Sequence, residues 1–212
     1  METTYYPVFF QLKNKLCVVI GGGDVAARKA ASLLAAGAAV RVVSPDLHPE
    51  LESLAASGRI EALRCPYTKE SLAGATLVIA ATSRADVNRE AAADCRALGI
   101  PVNVVDAPGL CDFIVPATLR RGPLTIAVST GGSMPAMAKK IRRRLEEEFD
   151  EAYGELLDAL GEARTRVLRD VEDPARRKAI FTALSGGDLL TVLRQEGRSE
   201  LDKQIDEIIK NT

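Results

Sequence analysis

Residues 16–43, LCVVIGGGDVAARKAASLLAAGAAVRVV, constrain this chain more than any other stretch. A short apolar run enters three consecutive glycines, a helical period follows, and a second apolar run closes the unit. Gly21, Gly23 and Ala26 occupy the key positions of a G-x-G-x-x-A pattern. Gly21 permits a tight turn, Gly23 lets the backbone approach a pyrophosphate, and Ala26 lets the helix pack close to the strand. The N-terminal N–H groups of that helix then point at the phosphate. Alone, such glycines say little. After a strand and before a helix, they point to a dinucleotide site.

The alternation continues downstream. Strands are predicted at Leu16–Ile20, Ala39–Val43, 60–64, Leu77–Ala80 and 102–105, with helices at 25–36, Pro49–Ala56 and 87–98. Strands alternating with helices imply parallel βαβ units with right-handed crossovers. After Asp106 the pattern changes. Two β-rich runs, 113–119 and 124–129, flank Arg120-Arg121-Gly122-Pro123 and predict an antiparallel hairpin, with a domain boundary near residue 113. From Pro135 the chain reads as helical. Met137, Ile141, Leu145, Phe149 and Tyr153 recur every four residues, a stripe suited to helix–helix or dimer packing. Gly154 and Gly161 predict a break or bend, Asp173-Pro174 opens another helix, and Ser185-Gly186-Gly187-Asp188 reads as a turn. Residues 200–210 close the chain as a short amphipathic helix.

Bulk properties remove several function classes. The 212 residues are 47% apolar and 27% charged, enough for a sizeable core, and the formal net charge of −1 offers no global attraction to nucleic acid or membrane. No apolar run approaches the ~18 residues of a membrane span. Nothing resembles a signal peptide, so a cytoplasmic protein is expected. Cys17, Cys65, Cys95 and Cys111 show no C-x-x-C pairing and His48 is the sole histidine, so no metal site is expected. His48, in a loop, is assigned no role.

Several residues could carry chemistry. The acidic residue that binds a ribose normally ends the second strand. Here Ser44 holds that place and Asp46 follows slightly late, either as the ribose contact or as a cap on the next helix. Arg41 lies inside the strand, poorly placed to clamp a 2′-phosphate, which favours NAD over NADP. Asp24 follows the glycines, where it can cap the helix. Small residues at Ala80-Ala81-Thr82-Ser83 leave room for a nucleotide after the fourth strand. Asp106 lies beyond the carboxyl end of the fifth strand, where α/β sheets place ligands. Its carboxylate could take a proton while a hydride leaves, or it could cap a turn. Ser129-Thr130-Gly131-Gly132-Ser133-Met134-Pro135 before a helix is either an anion site or a helix cap. Lys139, Lys140, Arg142, Arg143 and Arg144, countered by Glu146, Glu147 and Glu148, form either a solvated face with internal ion pairs or a site for a polyanionic substrate shared with Arg120 and Arg121. Nucleic acid fits poorly, because the basic run lacks interleaved aromatics.

Three blocks carry a family resemblance: YPVFFQLKNKLCVVIGGGDVAARKA, LVIAATSRADVN and IPVNVVDAPGLCDFIVPATLRRGPLTIAVSTGGSMPAMAKKIRRRLE. The chain resembles the precorrin-2 dehydrogenase family of siroheme biosynthesis, including the N-terminal half of siroheme synthases. The resemblance implies an α/β protein with an NAD-binding Rossmann-like parallel sheet over residues 1–113. A β-hairpin dimerisation segment with the start of a helix would span 114–150, and a helical C-terminal domain 151–212. It implies a homodimer with its active site in a cleft between the NAD domain and the dimer region. The family reaction oxidises precorrin-2 to sirohydrochlorin, with hydride passing to NAD⁺. By resemblance Asp106 is the general base. The resemblance also implies nucleotide contacts at Asp24, Val25, Pro45 and Asp46, which join Gly21, Gly23 and Thr82, read from the glycine pattern and the fourth strand's exit, as the expected cofactor contacts. Ser129, Thr130, Arg120 and Lys139 are the candidates to hold the octacarboxylate substrate. Some relatives carry two serines where this chain has Ser129-Thr130. With the sequence ending at Thr212, the methyltransferase half is expected to be absent and precorrin-2 to be made elsewhere. One alternative is a protein that also inserts ferrous iron into sirohydrochlorin. Another is a non-catalytic NAD-sensing module, which would have no need of a carboxylate at Asp106.

Overall fold

The computed structural model describes residues 5–212. The chain divides into two compact units, Met1–Val115 and Pro116–Thr212. The first is a five-stranded parallel sheet in the order β3-β2-β1-β4-β5. Its elements are β1 (Leu16–Ile20), α1 (Asp24–Ala35), β2 (Ala39–Val43), α2 (Pro49–Ala56), β3 (Glu61–Leu63), β4 (Leu77–Ala80), α3 (Ala85–Leu98) and β5 (Val102–Val104). This is the α/β, Rossmann-like sheet expected from the strand–helix alternation. β1, β2, β4 and α2 fall where the sequence places them, while β3 and β5 are shorter than predicted.

Alternation within the strands sorts the core into two layers. Cys17 and Val19 of β1, Val40 and Val42 of β2 and Ile79 of β4 pack against Ala26, Ala27 and Ala30 of α1 and Leu51 of α2. Val18 and Ile20, Val43, Val78 and Val102 face the other way, onto Ala91, Ala92 and Cys95 of α3. A central strand buried on both faces must be apolar throughout, which is why LCVVI reads as a continuous run. Full burial of each Val or Ile side chain contributes roughly 1.5–3 kcal/mol. Alanines on α1 bring the helix close to the sheet.

The edge at β5 is finished by the following loop. Asp112 Oδ2 accepts the Val102 N–H at 3.0 Å, and the Asp112 N–H donates to the Val102 carbonyl at 2.8 Å. Cys111 Sγ lies 3.2 Å from both the N and the O of Val104, accepting from one and donating to the other. Asn103 Nδ2 donates to the Phe113 carbonyl at 2.9 Å, fixing the far end of the same segment.

The second unit contains a hairpin and five helices. β6 (Ala117–Arg121) pairs antiparallel with β7 (Leu124–Val128), as the Gly/Pro turn predicts. α4 (Pro135–Glu148), α5 (Glu151–Asp170), α6 (Pro174–Gly186), α7 (Leu189–Glu196) and α8 (Arg198–Asn211) follow. Ala163, Val167, Ile180, Leu193, Leu201 and Ile205 form the core of α5–α8. Two expectations are corrected here. α5 runs unbroken through Gly154 and Gly161, and the break falls earlier, at Phe149-Asp150, where the Asp150 carboxylate accepts the Ala152 N–H at 3.2 Å and starts the new helix. α6 also continues through Ser185 and Gly186, so the predicted turn contracts to Gly187-Asp188, and α7 follows it. No helix among the described residues is long and apolar enough to cross a membrane.

Candidate cofactor and catalytic site

The order β3-β2-β1-β4-β5 reverses direction between β1 and β4, and α/β sheets bind ligands outside the carboxyl ends of the strands at such a switch point. Three loops meet there. Gly21 takes φ +117° and donates its N–H to the Val43 carbonyl at 2.9 Å. A Cβ at Gly21 would lie 2.6 Å from the Ala81 carbonyl oxygen, so the first glycine is required by the neighbouring strand exit as well as by the turn. A Cβ at Gly22 would lie 1.9 Å from the Asp46 carbonyl oxygen and 2.6 Å from Ser44 Oγ. The Gly22 carbonyl also accepts the His48 N–H at 2.7 Å, so the 44–48 loop lies directly against the glycines. Gly22 was not singled out from the sequence; three glycines in a row, where the pattern asks for two, was the available signal.

Gly23 is different. A Cβ there meets nothing within 4 Å, leaving space in front of α1. Gly23 is the N-cap of α1 and no side chain caps the helix, so the N–H groups of Asp24, Val25 and Ala26 lack intrahelical acceptors. Free N–H groups at a helix start facing open space fit a pyrophosphate. Asp24 is the first helical residue rather than the cap, and its exposed carboxylate lies 3.5 Å from Arg28. Asp46 does not cap α2 either. His48 does, its Nδ1 accepting the Glu50 N–H at 3.3 Å, which gives that histidine a structural role the sequence did not reveal. Pro45 and Asp46 are thus left exposed at the β2 exit, beside the glycine turn. Arg41 is committed elsewhere, to Glu61 at 2.8 Å and to the Ser71 and Ala73 carbonyls at 3.0 and 3.1 Å.

Thr82 leaves β4 beside Gly21, and its polar groups are bound by Asn88 of α3. Asp106 leaves β5 in a two-residue turn at φ +59°, a left-handed conformation that aspartate tolerates better than most residues. The turn is held by the Ala107 N–H, which donates to the Val104 carbonyl at 3.3 Å. Among the described residues none hydrogen-bonds the exposed Asp106 carboxylate. Asp106 is therefore not the turn cap that was the alternative reading; its side chain is presented to solvent on a fixed backbone.

The structure thus brings Gly21, Gly23, Asp24, Val25, Pro45, Asp46, Thr82 and Asp106 to one end of one sheet. Ser129, Thr130, Arg120 and Lys139 belong to the second unit. Ser129 Oγ accepts the Gly131 N–H at 3.0 Å, and Thr130 Oγ1 accepts the Met134 N–H at 3.2 Å. Each hydroxyl keeps its own proton available for donation. Arg120 and Lys139 are exposed, and Arg142 pairs with Glu146 one helical turn on, as the solvated-face reading expects.

Residues 8–117 match the family model described as putative NAD(P)-binding. The chain belongs to this NAD(P)-binding family. Residues 121–148 match a second model, the central part of a sirohaem biosynthesis protein. The siroheme synthase of Methylobacillus flagellatus is 41% identical over 207 residues, covering 96% of this chain and 44% of that protein. The siroheme synthase of Chromobacterium violaceum is 42% identical over 205 residues, covering 95% of this chain and 44% of its own length. The chain therefore spans less than half the length of these curated relatives. Among solved structures, SirC, a precorrin-2 dehydrogenase, superposes with a TM-score of 0.77 at 28% identity, covering 96% of this chain and all of that one. The resemblance read from the three sequence blocks is borne out, together with the fold class and the NAD(P) cofactor.

Proposed function

We propose that this protein is an NAD-dependent dehydrogenase that oxidises precorrin-2 to sirohydrochlorin, with Asp106 as general base. The observation that carries the reading is the Asp106 carboxylate: unpaired, exposed, and fixed at φ +59° at the same sheet end as the glycine turn. The naming of SirC as a precorrin-2 dehydrogenase, over its full length, supports the substrate.

The bound nicotinamide would accept a hydride from the substrate. The chain's residues do the rest. The N–H groups of Asp24 and Val25 hold the pyrophosphate in the space at Gly23, and Pro45-Asp46 border the ribose. Asp46 is a carboxylate and Arg41 is occupied by Glu61, so the β2 exit favours a ribose hydroxyl over a 2′-phosphate, hence NAD over NADP. Asp106 takes the proton released as the carbon framework is oxidised. In the second unit, the Ser129 and Thr130 hydroxyl protons and the Arg120 and Lys139 cations suit substrate carboxylates. Met137 and Ile141, 43% and 38% exposed on α4, suit burial against a second copy of the chain in a homodimer. No group of three or more His, Cys, Asp or Glu that could hold a metal ion occurs among the described residues, so nothing here favours the iron-inserting alternative.

The test supplies freshly made precorrin-2 and NAD⁺ and follows NADH and sirohydrochlorin. Asp106→Asn, which tolerates the positive φ, is expected to lower kcat by about 10²–10⁴ while leaving NAD⁺ affinity unchanged. Wild type that binds NAD⁺ without turnover would sink the enzyme reading. Full activity in Asp106→Asn would remove the base.

A further inference from the structure

We propose that Cys111 is a positioning residue for Asp106: its thiol closes the base of the turn that carries the carboxylate. The inference rests on the general-base reading of Asp106 above and deepens it by naming what holds the base in place.

Val105 and Asp106 are the two central residues of a turn that starts at Val104 and ends at Ala107. One backbone hydrogen bond spans it, from the Ala107 N–H to the Val104 carbonyl, and at 3.3 Å that bond is long. At φ +59° the Asp106 backbone is in a sparsely populated region that its surroundings have to hold. Cys111 supplies the support. Its Sγ lies 3.2 Å from both the N and the O of Val104, and 3.4 Å from the Ala107 carbonyl oxygen. A thiol has one proton. That proton goes to the Val104 carbonyl while the sulfur accepts the Val104 N–H, and at Ala107 the sulfur is in close contact only. One atom therefore touches the first and the last residue of the turn.

The sulfur is itself held. The Cys111 N–H donates to the Pro108 carbonyl at 3.1 Å, and the Leu110 N–H to the Ala107 carbonyl at 2.9 Å. Asn103 of β5 fixes the Phe113 carbonyl two residues further on. Solvent is no easy substitute for the thiol. Val104 is 2% exposed, and it is the Val105 N–H that bonds to Ala80 of β4, so the Val104 N–H faces away from the sheet toward Cys111. Without the sulfur that donor is buried and unpaired, a state proteins avoid. Opening the turn to water relieves it and carries Asp106 away from its place.

The alternative is that Cys111 only seals the edge of the sheet. Oxidation of precorrin-2 by the full chain separates the two. Cys111→Ala is expected to lower kcat about tenfold at unchanged NAD⁺ affinity, since a small displacement of a reacting group is enough for such a loss. Cys111→Ser, whose hydroxyl can serve both Val104 groups from a shorter bond, is expected to recover part of the rate; where Cys111→Ala does not fold, its smaller loss is the one measured. Asp106→Asn combined with Cys111→Ala is expected to be no slower than Asp106→Asn alone, because both act through one carboxylate. Wild-type kcat in the Cys111 variants with a lowered Tm would overturn the proposal in favour of the edge seal. A further loss of rate when Cys111→Ala is added to Asp106→Asn would overturn it as well. Full activity in Asp106→Asn would instead overturn the base reading beneath it.

Discussion

A methyl group added at Gly22 would lie 1.9 Å from the Asp46 carbonyl oxygen, while one added at Gly23 meets nothing within 4 Å. The two neighbours therefore separate fold from binding. Gly22→Ala is expected to push the 44–48 loop away and lower Tm, which differential scanning fluorimetry reads directly. Gly23→Ala, with an ordinary φ of −84°, is expected to keep Tm and lose NAD⁺ affinity, because its methyl occupies ligand space. A Gly23→Ala protein with wild-type affinity would refute the space assignment. At this scale the sequence is partly legible. The pattern Gly21, Gly23, Ala26 reports a dinucleotide loop because turn, approach and helix packing need those residues at that spacing. Gly22, Asn88 and His48 are silent in sequence because their partners, Asp46, Thr82 and Glu50, are set by how loops close rather than by local periodicity.

Two glycines show how element boundaries depend on what lies beside a helix. Gly154 approaches the β6–β7 turn so closely that a Cβ would lie 3.0 Å from Arg121 C and Gly122 N. Gly161, seven residues along α5, has nothing within 4 Å of its Cβ position. Gly154→Ala is expected to destabilise the second unit by forcing hairpin and helix apart. Gly161→Ala is expected to stabilise it by about 0.5–1 kcal/mol, the ordinary cost of glycine in a helix. Urea denaturation followed by circular dichroism distinguishes the two signs. Reading both glycines as breakers failed because local propensity is small beside the packing of α5, whose Ala159, Ala163 and Val167 stay on one buried face. The break came instead at Asp150, a better N-cap than any residue near Gly154. Strands β1, β2 and β4, by contrast, were legible to the residue, since their apolar runs end at glycine, serine and threonine turns.

For the whole molecule, the buried thiols set a limit on alkaline stability. Burial pushes Cys17 and Cys95 up from 9.0 to about 11, with Asp94 and Asp112 adding to the effect at Cys95. The folded chain keeps these protons after the unfolded chain has lost them. Their contribution is whole below pH 9.0 and is lost as pH rises toward about 11, so the urea midpoint is expected to fall across that window. Double replacement by alanine is expected to flatten the fall. Alkylation should reach exposed Cys65 well before Cys17 or Cys95. The alternation of strands and helices revealed the parallel sheet, but no local pattern signals that Cys111 and Asp112 fold back on β5. That closure matters for how the protein behaves at high concentration. A sheet ending in bare amides and carbonyls is a template on which a second chain can lay another strand and begin a fibre. With both outward groups of Val102 and both of Val104 already bonded, this margin of the sheet has nothing to offer an incoming strand.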